Sequence, residues 1–161
     1  MPTLPLLGLG LLAALLPACR RHAADHEEAE RIIVAQERRA LEQWAGGNPL
    51  GFLDIDAADV TYFDDIGAHS RIDGIEEMRT YFGSLQGKIP PHQYEMLEPK
   101  VQLYGDMAIL TLRYKAHSTD GKPLSHWKAT SVYRRTGSQW RIVHAHWSLV
   151  KGGEGSTISS P

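Results

Sequence analysis

The chain has 161 residues, of which 42% are apolar, 8% aromatic and 22% charged, with a net charge of −2. That is enough for one domain with its own core and short for two. The near-neutral balance argues against a dedicated nucleic-acid binder, which needs a basic patch to neutralise phosphates. Four tryptophans and six tyrosines argue against a disordered chain, because they bury enough area to offset chain entropy.

The first segment stands apart. Residues 1–18 carry no charge and hold eight leucines, and Leu4 to Leu16 form an apolar run of thirteen. A bilayer core needs about 20 helical residues, so the run is too short to span and fits the core of a secretory signal. It ends in Leu16-Pro17-Ala18-Cys19, which resembles the lipobox of bacterial lipoproteins. In that motif a small residue precedes the cysteine, and the thiol receives the lipid. Cys19 is the only cysteine, so no intramolecular disulfide forms, and its place after the leucine run points to lipidation. The expectation is a signal peptide over residues 1–19, of lipoprotein type, and a linker over 20–26. The protein would be exported, either periplasmic or held at a membrane only through a lipid on Cys19. The alternatives are a simple export signal, or a start codon placed upstream of a cytosolic domain.

The spacing from Arg20 to about Ala45 predicts a helix. Ile32, Ile33, Ala40, Leu41 and Trp44 fall near a 3.6-residue period, with Glu27, Glu28, Glu30 and Glu37 on other faces. Gly46-Gly47-Asn48-Pro49 stops it and opens a short helical turn carrying Leu50, Phe52, Leu53 and Ile55. Asp59 to Phe63 reads as a strand, Asp64 to Ser70 as its turn, and Ile75 to about Leu85 as a second helix with Met78, Tyr81 and Phe82 on its apolar stripe. After Pro90-Pro91 the period becomes two. Strands are predicted over Tyr94–Tyr104, Met107–His117, Ser125–Arg135 and Gln139–Leu149, separated by Gly-containing turns. Residues 151–161 are Gly/Ser-rich and read as a flexible tail.

Helices followed by long antiparallel strands define an α+β chain. A strongly curved sheet wrapped around the helices makes a cone with a mouth at one end.

These residues carry a resemblance. Asp59-Val60-Thr61-Tyr62-Phe63-Asp64, Arg71-Ile72-Asp73-Gly74-Ile75-Glu76 and Tyr81-Phe82 resemble the first half of the NTF2-like superfamily in its SnoaL-like branch. Thr130 to Arg135 and Trp140-Arg141-Ile142-Val143-His144-Ala145-His146-Trp147-Ser148 resemble the association domain of calcium/calmodulin-dependent protein kinase II and its stand-alone bacterial relatives. The resemblance covers residues 27–150 and implies an NTF2-like cone. Members of the superfamily include isomerases, dehydratases, transport factors and assembly hubs, so it does not imply one function. The kinase-association members bind small carboxylates in a pocket with two arginines, a histidine and a tyrosine. At the matching positions this chain has Ser131, Trp147, Met78 and Phe52. A carboxylate site of that kind is not expected, because an anion in a dry pocket needs a cationic partner.

The resemblance puts Ser131 and Trp147 on the cavity side. Strand alternation then turns Trp127 and Tyr133 the same way, with Arg141, Val143, Ala145 and Leu149 on the face of Trp147. With Tyr62 and Tyr114 these rings suggest an aromatic cavity for a flat or apolar ligand, with Ser131 as an orienting group. The competing reading is that they fill the cone as core. His144 and His146 share the opposite face. With His126 they could ligate zinc, but the pair is also the family's own signature, and neither metal nor cofactor is expected. Asp64 and Asp65 end the first strand, and Asp56 ends the short helix. An aspartate against an aromatic wall could move a proton, although turn and cap chemistry accounts for all three.

The expected function is binding of a small hydrophobic or aromatic molecule through Phe52, Tyr62, Met78, Tyr114, Trp127, Ser131 and Trp147, in a homodimer without nucleic-acid partners. One alternative is a proton-transfer enzyme of the SnoaL or ketosteroid-isomerase kind, with Asp64 or His126 as the candidate catalytic group. Another is an oligomerisation module like the kinase hub. An enzyme needs an acid or histidine at the cavity, whereas a binder does not.

Overall fold

The computed structural model describes residues 15–67 and 69–150, with side chains from residue 24 onward. Residues 1–14 of the proposed signal and the 151–161 tail lie outside the described residues, as does the side chain of Cys19. Helix α1 spans Leu15–Ala45. It is continuous through 20–26, so the stretch assigned to a linker is helical, in line with the periodicity read from Arg20. The helix buries Ala29, Ile33, Ala40 and Leu41. The chain turns away after Ala45 at Gly47, whose φ of +88° is a left-handed conformation that suits glycine, and a Cβ there would lie 3.1 Å from the Ile89 carbonyl oxygen. Asn48 caps the following 3₁₀ turn, Pro49–Asp54, by accepting from the Leu50 N–H at 3.1 Å, with Pro49 at its first position.

Strand β1 covers Asp56–Phe63 and β2 covers Ile72–Asp73; helix α2 covers Ile75–Ser84. Then come β3 (Gln93–Tyr104), β4 (Met107–His117), β5 (Pro123–Thr136) and β6 (Gln139–Leu149). The four long strands match the period-two reading closely. The first strand does not, because β1 begins at Asp56, so that acid belongs to the sheet and not to the short helix.

The six strands lie in the order β2-β1-β6-β5-β4-β3. All neighbours are antiparallel except β1 and β6, which run parallel. The sheet expected to be antiparallel is therefore mixed. Parallel pairing needs a long crossover, supplied here by α2 and the four intervening strands. This places the chain's first strand one in from the sheet edge, against its last.

Irregularities bend the sheet into a cone. In β3 the register shifts between Leu97 and Lys100, where Glu98 has a φ of 50°. In β6, Val132 faces His144 while Tyr133 faces Ile142, leaving Val143 as an extra residue. The bulge corrects the expected face: Arg141 and Val143 do not share the side of Ala145, Trp147 and Leu149. Ile142 faces inward before the bulge and Ala145 after it. The core lies between the concave sheet and the two helices, with Val60, Tyr62, Met78, Phe82, Leu110 and Tyr133 among its members. Among the described residues no helix is long and apolar enough to cross a membrane.

Candidate functional site

The cone is not filled. A cavity of about 200 Å³ remains between α1, the 3₁₀ turn, α2 and the inner sheet face. Seven of its lining residues are Phe, Tyr or Trp. From the helical side come Trp44, Phe52 and Phe82, with ring centroids 6.0–6.3 Å apart. Trp147 of β6 meets Phe52 edge-on at 6.3 Å and Tyr114 of β4 at 6.0 Å. Such edge-to-face contacts hold the rings without collapsing the space. At the mouth, Ile66 is 50% exposed and Leu124 37% exposed, while both still line the cavity.

Besides Ser125, whose hydroxyl accepts from Trp127 Nε1 at 2.9 Å, two polar features interrupt this surface. The first is Asp56, the opening residue of β1, which is only 8% exposed and has Oδ2 buried with no hydrogen-bond partner. Burial, reinforced by the negative charge of Glu37 and opposed by Arg141, pushes its carboxyl from 3.8 up to about 8. Arg141 does not pair with it directly: its guanidinium donates to the Asp54 carbonyl and the Gln139 side chain. The second is the pair of His92 and Tyr114. His92 Nδ1 lies 2.9 Å from the Pro90 carbonyl oxygen, which only accepts, so Nδ1 carries the proton. In the neutral ring Nε2 then accepts from the Tyr114 hydroxyl at 2.6 Å. Burial raises the Tyr114 phenol, so it remains a donor.

Behind the cavity, Glu37 of α1 is completely buried. It accepts from the Tyr133 hydroxyl and from Ser131 Oγ at 3.4 Å. Burial raises its carboxyl to about 7, against the opposing effect of these two hydrogen bonds.

Of the seven expected ligand residues, Phe52, Tyr62, Met78, Tyr114, Trp127 and Trp147 line the cavity. Ser131 does not. It is 1% exposed and bonded to Glu37, so its hydroxyl is not available to orient a ligand. Tyr133 is likewise buried against Glu37.

Asp64 is also placed elsewhere. Its side chain is 1% exposed and accepts from the backbone N–H of Ile66 and Gly67 and, at 2.5 Å, from Tyr81. These bonds make it the organiser of the β1–β2 turn, and it is not among the cavity-lining residues. Asp65 accepts from the Leu149 N–H at 2.9 Å.

His126 stands between inward-facing residues on β5, paired across the sheet with Lys115. Its Nε2 is buried without a partner. Burial and the nearby Lys115 and Arg113 hold its pKa down. His144 and His146 both pack edge-on against Phe63 on the outer face, at 5.7 and 5.8 Å. His144 Nδ1 lies 2.8 Å from Thr61 Oγ1. Burial and His146 hold His144 below its ordinary value. No group of three or more His, Cys, Asp or Glu side chains placed to hold a metal occurs among the described residues.

The sequence singles out neither Glu37 nor His92, and it weighs Asp56 beside Asp64 and Asp65 but reads it as cap chemistry at the end of the short helix. Glu37, expected on another face of the helix, is instead on the stripe that α1 buries, as its spacing of four residues from both Ile33 and Leu41 allows. Asp56 is in phase with Val60 and Tyr62 once the strand is extended to it. His92 left no trace, since its role depends on a contact with β4.

A mixed sheet curled around two helices, with an apolar cavity inside, defines the protein as one of the NTF2-like class. More narrowly, residues 50–151 match the SnoaL-like domain model, and the chain belongs to that family. Among solved structures it is similar to a ketosteroid isomerase candidate from Parabacteroides distasonis, at 34% identity over 74% of this chain and 86% of that one, with a TM-score of 0.64. An NTF2-like protein of unknown function from Pseudomonas putida is 25% identical over 80% of this chain and 91% of that one, with a TM-score of 0.69. The S. rosetta CaMKII hub shares the fold at 22% identity, over 74% of this chain and 95% of the hub, with a TM-score of 0.59. No curated protein matches the chain.

Proposed function

We propose that this domain takes up a small, flat, largely apolar molecule in its cone. The observation that carries the reading is the aromatic-walled cavity of about 200 Å³. An apolar cavity of roughly 150 Å³ accommodates benzene, so the space suits one or two fused rings. A thermal-shift and tryptophan-fluorescence screen of mono- and bicyclic compounds tests it. Binders are expected among hydrocarbons and ring compounds with one polar group, and Trp147→Ala should weaken them about tenfold by removing one wall. If Trp147→Ala leaves uptake unchanged, the reading falls.

A second reading is proton-transfer catalysis. It is favoured by the presence of an acid, Asp56, and a tautomer-fixed histidine, His92, on the same cavity. The neighbour described as a ketosteroid isomerase candidate adds to it. Running the same screen in D₂O and following deuterium uptake next to ring carbonyls by NMR separates the two readings.

A further inference from the structure

We propose that Asp56 makes the cavity selective for small organic cations: a primary ammonium group carried on a flat apolar ring. This rests on the ligand-binding reading above and names the class of ligand. Asp56 is the acid on the cavity surface, more than nine-tenths buried, with an oxygen that has no partner. A buried carboxylate is stable only with a cation or several donors beside it, and the described lining contains neither lysine nor arginine. Arg141, the nearest positive influence, is held by Asp54 and Gln139. His92, the one basic side chain in the lining, has both ring nitrogens engaged. The cavity therefore has a buried carboxyl group with no cation paired to it, which a ligand's ammonium can supply.

The walls suit the same ligand. Faces of Trp, Tyr and Phe attract cations through their quadrupoles, and aromatic cages with an acid are a general solution for ammonium recognition. Tyr62 and Phe82 stand 5.8 Å apart and Trp44 lies 6.0 Å from Phe82; all three line the cavity with Asp56. The second carboxyl torsion of aspartate is broad and roughly two-fold, so either oxygen can turn toward a ligand.

The charged and titratable groups that act on Asp56 or are acted on by it are Glu37 of α1, Arg141 of β6, Tyr133 of β5 and Tyr62 of β1. Tyr114 and His92 complete the titratable set lining the cavity. The phenols stay neutral, so among the acidic groups the Glu37–Asp56 pair holds the exchangeable protons. An ammonium ion entering beside Asp56 displaces one proton from that pair to the buffer.

The test uses three matched probes on the full chain: 2-aminoindane, 2-indanone and indane. Affinities come from tryptophan fluorescence and calorimetry. The expected result at pH 8 is that the amine binds on the order of tenfold more tightly than either neutral probe. Its affinity should rise between pH 6 and pH 8, with uptake of a released proton seen by calorimetry in two buffers of different ionisation enthalpy. Asp56→Asn, checked for folding by circular dichroism, should bring the amine-to-indane ratio to within about threefold. The inference is overturned if indane or indanone equals the amine, or if the preference survives in a folded Asp56→Asn protein. The wild-type ratio alone decides if that variant does not fold. If none of the three binds, the ligand-binding reading itself falls, and the inference falls with it.

Discussion

Glu37 and Asp56 are two buried acids in one small domain, and they are built in opposite ways. Glu37 is enclosed by α1 and β5 and has two hydroxyl donors, from Tyr133 and Ser131. Asp56 lines an open space and has an oxygen with no donor at all. Both are pushed toward the neutral form, chiefly by burial. The shift alone therefore does not distinguish a structural acid from a functional one; the partners do. A satisfied acid holds a helix to a sheet, whereas an unsatisfied one on a cavity awaits a ligand.

The sharpest way to break this comparison is to remove the structural acid. Glu37→Ala opens a cavity and leaves the Tyr133 hydroxyl buried without an acceptor, so it should cost about 3 kcal/mol in denaturant unfolding. A cost close to zero would mean that Glu37 does not tie α1 to the sheet.

The second effect is a pH dependence. In the folded protein Asp56 keeps its proton up to about pH 8, whereas in the unfolded chain it ionises near 3.8. Between those values the folded state binds more protons, so stability falls as pH rises through the window. Asp56→Asn needs no proton and should be more stable than the wild type at pH 8 by about 1–3 kcal/mol, with a smaller difference at pH 5. Thermal melts of the two proteins across that range check it, and parallel curves would contradict it. Glu37, raised to about 7, adds a slope of the same sign that both proteins share.

The smallest effect concerns Ser131. Its bond to Glu37 is long, at 3.4 Å, and Tyr133 remains as a donor. Ser131→Ala should cost about 0.5–1 kcal/mol by chemical denaturation. A loss as large as that of Glu37→Ala would make Ser131, and not Tyr133, the principal partner.

Much of this molecule was legible before its structure. Periodicity located both helices and four long strands to within a few residues, and all six expected ring and methionine positions line one cavity. What was not legible shares a cause. The parallel pairing of β1 with β6 depends on where a distant strand arrives, which period-two alternation does not encode. Ser131 points inward as its alternation required, but an acid from α1 reaches it first. Asp64 looked like a candidate base because it ends a strand, yet two backbone N–H groups and Tyr81 converge on it. In each case the local pattern gave the direction of a side chain, and tertiary contacts determined what it met.

The extra residue at Val143 has a further consequence. It divides β6 into two halves of opposite parity, so the strand serves two purposes. Before it, even-numbered residues look inward: Trp140, covered by the Arg135 guanidinium at 5.5 Å, and Ile142. After it, odd-numbered residues do, among them Trp147 on the cavity wall. One inserted residue is thus the phase break that keeps both histidines outside and a tryptophan inside. In a regular strand without the bulge, the same string of letters would turn His144 and His146 inward and present an imidazole-lined chamber to whatever enters the cone.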